Sequence, residues 1–157
     1  MTLSAVSPTS ASPFTAEHEM FRKTVRDFVE REINPHADEW EEAGIAPLHD
    51  LFRKMGQIGL LGLDYPEEYG GADADIWFSV VLHEELGRCH TGGVAMAAAV
   101  QAGMSTPALA RYGSHELKQK YLTPAITGEA VSSIAVTEPD AGSDVARIKT
   151  KAVRDGD

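Results

Sequence analysis

A short polar turn that follows an apolar run holds the residue types best suited to chemistry in this sequence. Residues 131–136 predict a strand, because their valine and isoleucine side chains suit a pleated, half-buried surface. Pro139 and Gly142 end that strand. The turn leaves backbone N–H groups exposed, and the hydroxyls of Thr137 and Ser143 lie near them in sequence. Such donors suit a phosphate or the polar edge of a flat ring, and a plain strand with a capped turn is the alternative.

The spacing of apolar residues before this turn predicts a series of helices. Thr15 suits the cap of the first helix, and Pro35 interrupts its apolar stripe, so we expect a break or kink there and a restart that ends at Gly44. Pro47 opens the next helix. The helix expected over residues 75–88 is apolar around most of its circumference, which is typical of a helix buried on several sides.

Two further stretches of this helical region have distinctive compositions. The loop over residues 60–71 contains proline and paired glycines, and we expect Glu67, Glu68 and Tyr69 to face solvent there. Residues 94–104 are mostly small and favour a helix. That helix either packs closely against a neighbour or lines a cavity that holds an apolar group.

Composition excludes several classes of function. The chain of 157 residues is 43% hydrophobic, which suffices for one domain with a sizeable core. Its net charge of -10 argues against nucleic acid as a partner. Its apolar runs are shorter than the roughly 18 residues of a membrane span. A single cysteine, Cys89, forms no internal disulfide, and this fits a reducing cytoplasm.

The two ends of the sequence differ from the helical region. Residues 1–13 lack a basic start and an apolar middle, so we expect a disordered tail and no signal peptide. Residues 148–154 alternate as a second strand, and Asp155 with Gly156 is a hairpin signal. Because no returning strand follows, we expect this chain to be part of a larger structure.

Other catalytic or metal-binding patterns are missing from the sequence. The six histidines form no zinc-binding spacing, and no phosphate-binding glycine loop or nucleophile elbow occurs. Glu84 and Glu85 are neighbours on a predicted helix and point about 100° apart, so they do not form a facing acid–base pair.

Six short motifs follow one another along the chain. The motifs are Ile33-Asn34-Pro35, Gly59-Leu60-Leu61-Gly62, Pro66-Glu67-Glu68-Tyr69-Gly70-Gly71, Glu84-Glu85-Leu86, Lys118-Gln119-Lys120-Tyr121-Leu122 with Pro124, and Ala135-Val136-Thr137-Glu138-Pro139-Asp140-Ala141-Gly142-Ser143-Asp144. Their sequences and order resemble the acyl-CoA dehydrogenase family from about Phe14 onward, and the last motif is close to a signature of that family.

The resemblance implies a mainly α fold. Residues 14–129 correspond to the all-helical N-terminal domain of the family. Residues 130–157 correspond to the first one or two strands of a middle β-domain, which is incomplete in this chain.

The resemblance also implies a binding site for FAD along residues 134–143. Ile134 belongs to this stretch, and the Val136 backbone with Thr137 would meet the isoalloxazine edge. Gly142 and Ser143 would meet the pyrophosphate or the bound thioester.

By the same resemblance, the helix of small residues floors the acyl pocket. Met96, Ala99, Val100 and Gly103 are then the candidates for contact with the acyl tail, with Ser143 beside the thioester. Small side chains here leave space for a medium to long acyl chain.

In the reaction of the family, an acyl-CoA loses its α-proton to a carboxylate and its β-hydride to the flavin. The carboxylate belongs to a C-terminal helical domain that is not in this sequence, so we expect no catalytic residue in this chain and no activity of the chain alone. The resemblance further implies an electron-transferring flavoprotein as acceptor, a homo-oligomer, and the missing domains or a second chain as partners. A catalytically silent helical interaction module and a related acyl-CoA oxidase-type flavoenzyme are the alternatives.

Overall fold

A computed structural model describes residues 12–156 of the chain as a helical domain followed by an irregular stretch. The helices are α1 (Ala16–Phe28), α2 (Ala37–Ala43), α3 (Leu48–Gln57), α4 (Ile76–Leu86), α5 (Gly92–Gly103), α6 (Pro107–Tyr112), α7 (His115–Leu117) and α8 (Thr123–Ile126). Single turns of π-helix cover Val29–Ile33 and Lys118–Leu122, and 3-10 turns cover Asn34–His36, Glu67–Tyr69 and Val145–Arg147. In this described part of the chain, each helix is too short or too polar to cross a membrane.

Helix α1 begins at a capping box, as predicted from Thr15. The Thr15 hydroxyl accepts the backbone N–H of His18, and the Thr15 N–H donates to Nδ1 of His18 at 2.9 Å. The buried imidazole also meets the Asp75 carboxylate through Nε2 at 3.1 Å. Asp75 in turn accepts the N–H of Trp77 and caps α4. One histidine therefore joins the starts of two helices.

The break predicted at Pro35 is a change of helical geometry. The π turn Val29–Ile33 and the 3-10 turn Asn34–His36 lead directly from α1 into α2, because proline cannot occupy the interior of a regular α-helix. Helix α2 ends at Gly44, whose φ of 66° lies in the left-handed region that glycine adopts without strain. The predicted kink and stop are confirmed.

The main hydrophobic core lies where α1, α3, α4, α5 and the loop after α3 meet. Its buried members are Val25, Phe28, Val29, Ile33, Leu51, Phe52, Met55, Leu60, Leu61, Leu63, Leu82, Leu86, Val94 and Ala98. The apolar stripes predicted for the first helices supply much of this core, and burial of these side chains is the main force that stabilises the domain.

A buried charge joins α1 to α4. Glu85 is 2% exposed, and its carboxylate accepts two hydrogen bonds from Arg26, at 2.8 and 2.9 Å, and one from Arg22 at 3.2 Å. Arg88 lies at 3.5 Å from the same carboxylate. Hydrogen bonding from Arg26 in particular holds the pKa of Glu85 below its usual range. Glu85 is therefore an ionised side chain that stabilises the packing of α1 on α4, and it does not form an acid–base pair with Glu84.

The loop after α3 corrects one expectation about exposure. Glu67 and Glu68 face solvent as predicted, but Tyr69 is only 4% exposed. Its ring lies in a second small core with Leu122 and Ile126, and its hydroxyl meets the His115 ring nitrogen at 3.2 Å. A tyrosine can bury its ring in this way because the hydroxyl keeps a polar partner. Tyr69 thus fixes the loop to the last helical turns.

Residues 130–156, which we call the exposed segment, form no strand within the described part of the chain. The strands predicted over residues 131–136 and 148–154 are wrong for this structure, and one isolated bridge between Glu138 and Ala141 takes their place. A strand requires a paired neighbour for its N–H and C=O groups, and the described residues supply none. The start of a β-domain is therefore not formed here. Most of the tail predicted over residues 1–13 lies outside the described residues.

Candidate functional site

The predicted cofactor-binding residues lie on the surface of the exposed segment. Ile134 is 48% exposed and Val136 is 42% exposed, and Thr137, Gly142 and Ser143 also face solvent. Within the described residues, the backbone N–H groups of residues 133–137 have no protein acceptor. The stretch therefore presents a row of free hydrogen-bond donors beside two apolar side chains.

The polar turn that ends this row is held by its own backbone and by one carboxylate. Glu138 and Ala141 exchange two backbone hydrogen bonds, at 2.8 and 3.2 Å. The Glu138 carboxylate accepts the N–H groups of Lys149 and Thr150, each at 2.8 Å, and the Thr150 hydroxyl. These bonds, the hydroxyl first, lower the pKa of Glu138 below its usual range. The carboxylate is thus engaged in folding the turn.

The other end of the row is held by α5 through Gln101, a residue that the sequence analysis did not select. Gln101 is 1% exposed, and its Oε1 accepts both the N–H of Ser132 at 2.7 Å and the Ser132 hydroxyl at 2.8 Å. Ser105 adds a hydroxyl contact to Ser132 at 2.6 Å. The available signal was a single polar side chain in a helix whose other residues are glycine, alanine, valine and methionine.

A mainly apolar cavity of about 570 Å³ lies between α4, the end of α5 and the loop after α3. Its lining residues are Leu60, Leu63, Asp64, Ile76, Ser79, Val80, Leu82, His83, Glu84, Ala102 and Gly103. Of the four acyl-pocket candidates, Gly103 lines this cavity, whereas Met96, Ala99 and Val100 do not. Met96 is 62% exposed, and Ala99 and Val100 are half-buried on the surface of α5.

Three polar residues that line the cavity are joined by hydrogen bonds. The Ser79 hydroxyl donates to Asp64 at 2.6 Å, and Nδ1 of His83 donates to the Ser79 carbonyl oxygen at 2.7 Å. Residues 12–156 contain no cluster of three or more metal-ligating side chains. Burial raises the pKa of the Cys89 thiol to about 11, so this thiol is protonated at neutral pH and is a poor nucleophile.

These features define the class of the protein as a helical domain that contains a mainly apolar cavity and presents a donor-rich, partly apolar surface over residues 133–137. Residues 15–129 match the family described as acyl-CoA dehydrogenase, N-terminal domain. Because the match covers most of the chain, the chain belongs to this family.

Curated and solved relatives agree with the family. A protein named probable acyl-CoA dehydrogenase from Bacillus subtilis is 43% identical over 144 residues, which are 91% of this chain and 37% of that protein. The crystal structure of acyl-CoA dehydrogenase from Geobacillus kaustophilus superposes on this chain with a TM-score of 0.84 and 43% sequence identity. The match covers 94% of this chain and 38% of that enzyme.

A third relative was solved with a ligand. The acyl-CoA dehydrogenase from Bacillus anthracis, complexed with FAD, is 35% identical with a TM-score of 0.81, over 89% of this chain and 24% of that one. The chain therefore spans less than two fifths of the length of these relatives.

Proposed function

We propose that this chain forms one wall of the FAD and acyl-chain sites of a flavin-dependent acyl-CoA dehydrogenase. The observation that carries the proposal is the row of free N–H groups over residues 133–137, beside the exposed side chains of Ile134 and Val136. A surface of this kind binds a flat ring by hydrogen bonds at its polar edge and apolar contact at its face. FAD contains such a ring, and a relative of this chain was solved in complex with FAD.

The donor set of the exposed segment fits this cofactor. The Val136 N–H and Thr137 would hold the ring edge, and Gly142 and Ser143 would hold the pyrophosphate or the thioester. A Cβ at Gly142 would meet no atom within 4 Å, so the described residues leave open space there. Bound FAD would supply the acceptor for the β-hydride of the acyl-CoA. The residues of this chain bind and orient the reactants.

The acyl tail is proposed to run along α5 past Met96, Ala99 and Val100 towards the cavity at Gly103. The cavity supports this path because its volume of about 570 Å³ and apolar lining suit part of a fatty chain. A medium to long acyl group is the proposed substrate.

The remaining roles lie outside the residues of this chain. We assign no catalytic base to it, and we expect no dehydrogenation by the chain alone. An electron-transferring flavoprotein is the proposed electron acceptor, and a homo-oligomer in the cytoplasm is the proposed setting. The other domains of the family, on the same or a second chain, are the proposed partners.

A second candidate function is a catalytically silent helical interaction module. Large apolar side chains on the surface favour it, among them Tyr112 and Val153, which are mostly exposed. An oxidase-type flavoenzyme of the same family would present the same wall and is distinguished by its use of oxygen.

The cofactor content of the purified protein separates the first two candidates. Yellow protein with close to one FAD per chain supports the proposed flavin site. Colourless protein that self-associates, and that takes up no FAD on titration, supports the interaction module.

A chimeric enzyme tests the acyl path. This chain would replace the matching N-terminal part of the Geobacillus kaustophilus enzyme, and the chimera would be titrated with acyl-CoAs of increasing length. Ala99→Phe is expected to shift the preference to shorter chains, whereas Lys23→Ala, on the exposed surface of α1, is the control and should keep it. An unchanged preference for acyl-chain length in the Ala99→Phe chimera would contradict the proposed acyl path.

A further inference from the structure

We infer that Gln101 is a positioning residue for the flavin site: its side-chain amide sets where residues 133–137 leave the helical domain and so aligns them with α5. The inference rests on the proposed function of residues 134–143. It concerns a residue that lies beside the proposed acyl path but touches neither proposed ligand.

The amide of Gln101 uses its full hydrogen-bonding capacity. Nε2 donates to the carbonyl oxygen of Ala125 at 3.0 Å and to that of Ala130 at 2.8 Å. Oε1 accepts the N–H and the hydroxyl of Ser132 at 2.7 and 2.8 Å. Two donors and two acceptor positions are thus all satisfied. One side chain joins α5 to α8, to Ala130 and to Ser132.

This arrangement anchors the start of the exposed segment to α5. Moving the exposed segment away from α5 would take the N–H and hydroxyl of Ser132 away from Oε1 and leave polar atoms of a buried amide without partners. Unsatisfied buried groups are more costly than a hydrogen bond is stabilising. The buried amide therefore favours a segment that stays attached to α5 at Ser132 over one that is detached from it.

The position of Ser132 determines the position of the proposed N–H donors, because these donors make no hydrogen bond to the described part of the protein. Between Ser132 and Glu138 the described backbone makes no hydrogen bond through its N–H groups. Ile134 follows Ser132 by two residues, a reach of at most about 7 Å. Because this link is short, any displacement of Ser132 would also displace the first N–H donors of residues 133–137.

The test compares variants by amide hydrogen exchange in two-dimensional NMR spectra, with FAD titration as a second measurement. Gln101→Met keeps the volume and removes all four hydrogen bonds. Gln101→Glu keeps the acceptor for Ser132 and loses the two donors. Tyr65→Phe is the matched control, because it removes hydroxyl contacts to Ala102, near the end of the same helix, and to Thr106, which precedes α6.

We expect the Ser132 amide to exchange about tenfold faster in Gln101→Met, with a smaller change in Gln101→Glu and none in Tyr65→Phe, relative to the amides of α1. The resonances of residues 133–137 should shift in the same order, and FAD affinity should fall about tenfold in Gln101→Met. If Gln101→Met fails to fold, Gln101→Glu and Ser132→Ala carry the same comparison.

Two results would overturn the inference. One is unchanged exchange and unchanged shifts at residues 132–137 in the Gln101 variants. The other is faster exchange spread equally over α1 and α4, which would mark a loss of global stability. A local effect at Ser132 in a protein that binds no FAD would support the positioning role and contradict the proposed flavin site instead.

Discussion

The helical domain and the exposed segment contain similar apolar residues, which are buried in the first region and mostly exposed in the second. In the helical domain, valine, isoleucine and leucine side chains from four helices and the loop after α3 are buried in one core. In the exposed segment, Ile134, Val136, Ile148 and Val153 remain exposed, and Ala141 is buried. The difference shows that an apolar run specifies a structure only where the chain also supplies the surface that covers it.

The two regions also differ in how polar groups are used. Glu85 stabilises the packing of α1 on α4 from a buried position, whereas Glu138 folds a turn at the surface. The helical domain is therefore expected to fold by its own contacts, and the exposed segment to gain its final structure from a ligand or another domain. Four substitutions test this contrast, beginning with the largest expected effect.

Loss of a core ring should reduce stability most. Phe52 is almost fully buried in α3, and Phe52→Ala should lower the free energy of unfolding by about 3–5 kcal/mol, through lost burial and a cavity. Val153→Ala, at a mostly exposed position, should change it by less than about 0.5 kcal/mol. Urea denaturation measures both, and similar losses would contradict the contrast between the regions.

The junction between the regions should be the next most sensitive point. Gly128 has a φ of 76°, and a Cβ there would lie 2.0 Å from the Phe52 carbonyl oxygen. Gly128→Ala should therefore cost about 2–4 kcal/mol, from backbone strain plus displacement of α3. Gly44→Ala has similar strain but open space around the Cβ, and should cost about 1–2 kcal/mol. Equal losses in thermal or urea unfolding would show that the contact with α3 contributes nothing.

The buried carboxylate should show a pH-dependent effect. Glu85→Gln should cost about 1.5–3 kcal/mol at pH 7, because the hydrogen bonds from Arg26 and Arg22 lose their anionic acceptor. The Glu85 pKa is lowered by folding, so its contribution is present above about pH 4.3 and is lost as the pH falls through the lowered value.

Urea denaturation between pH 7 and pH 3 measures this loss, and the gap between wild type and Glu85→Gln should close at the acidic end. Glu84→Gln is the matched control, since Glu84 is half-exposed and should change stability little. A gap that stays constant with pH would mean that the charge of Glu85 does not stabilise the fold.

Glu138→Gln should have the smallest effect on global stability. The carboxylate is at the surface, so the urea midpoint should stay unchanged, while the amides of Lys149 and Thr150 should exchange faster as their acceptor weakens. Asp140→Asn, which removes an exposed ion pair with Lys149, is the control and should leave the Thr150 amide unaffected. A lowered urea midpoint in Glu138→Gln would make the exposed segment part of the cooperative fold.

The sequence predicted those parts of the fold that depend on neighbouring residues. The cap at Thr15, the kink at Pro35 and the stop at Gly44 follow from local backbone chemistry, and all three are confirmed. Tyr69 was predicted to be exposed because it lies in a loop marked by proline and paired glycines, but its burial depends on helical turns about 50 residues further along the chain. Contacts of that kind leave no local pattern.

The residues of the candidate site were selected from local sequence, and their binding roles stay predictions. The residues of the polar turn are recognisable from their types and order, but the strands expected on either side require partners that the described chain lacks. Gly103 lines a cavity and Met96 is 62% exposed, and the contact of these residues with an acyl tail stays a prediction. Gln101 was missed because its role depends on Ser132, 31 residues away.

Flavin reduction in the chimera with the Geobacillus kaustophilus enzyme tests the central claim most directly. Anaerobic mixing of the FAD-loaded chimera with a medium- or long-chain acyl-CoA should bleach the flavin absorbance, because residues 134–143 then complete the site from one side. The chain alone should show no such reaction. A folded, FAD-containing chimera whose flavin stays oxidised with acyl-CoAs of every length would contradict the proposal that this chain supplies a working wall of the site.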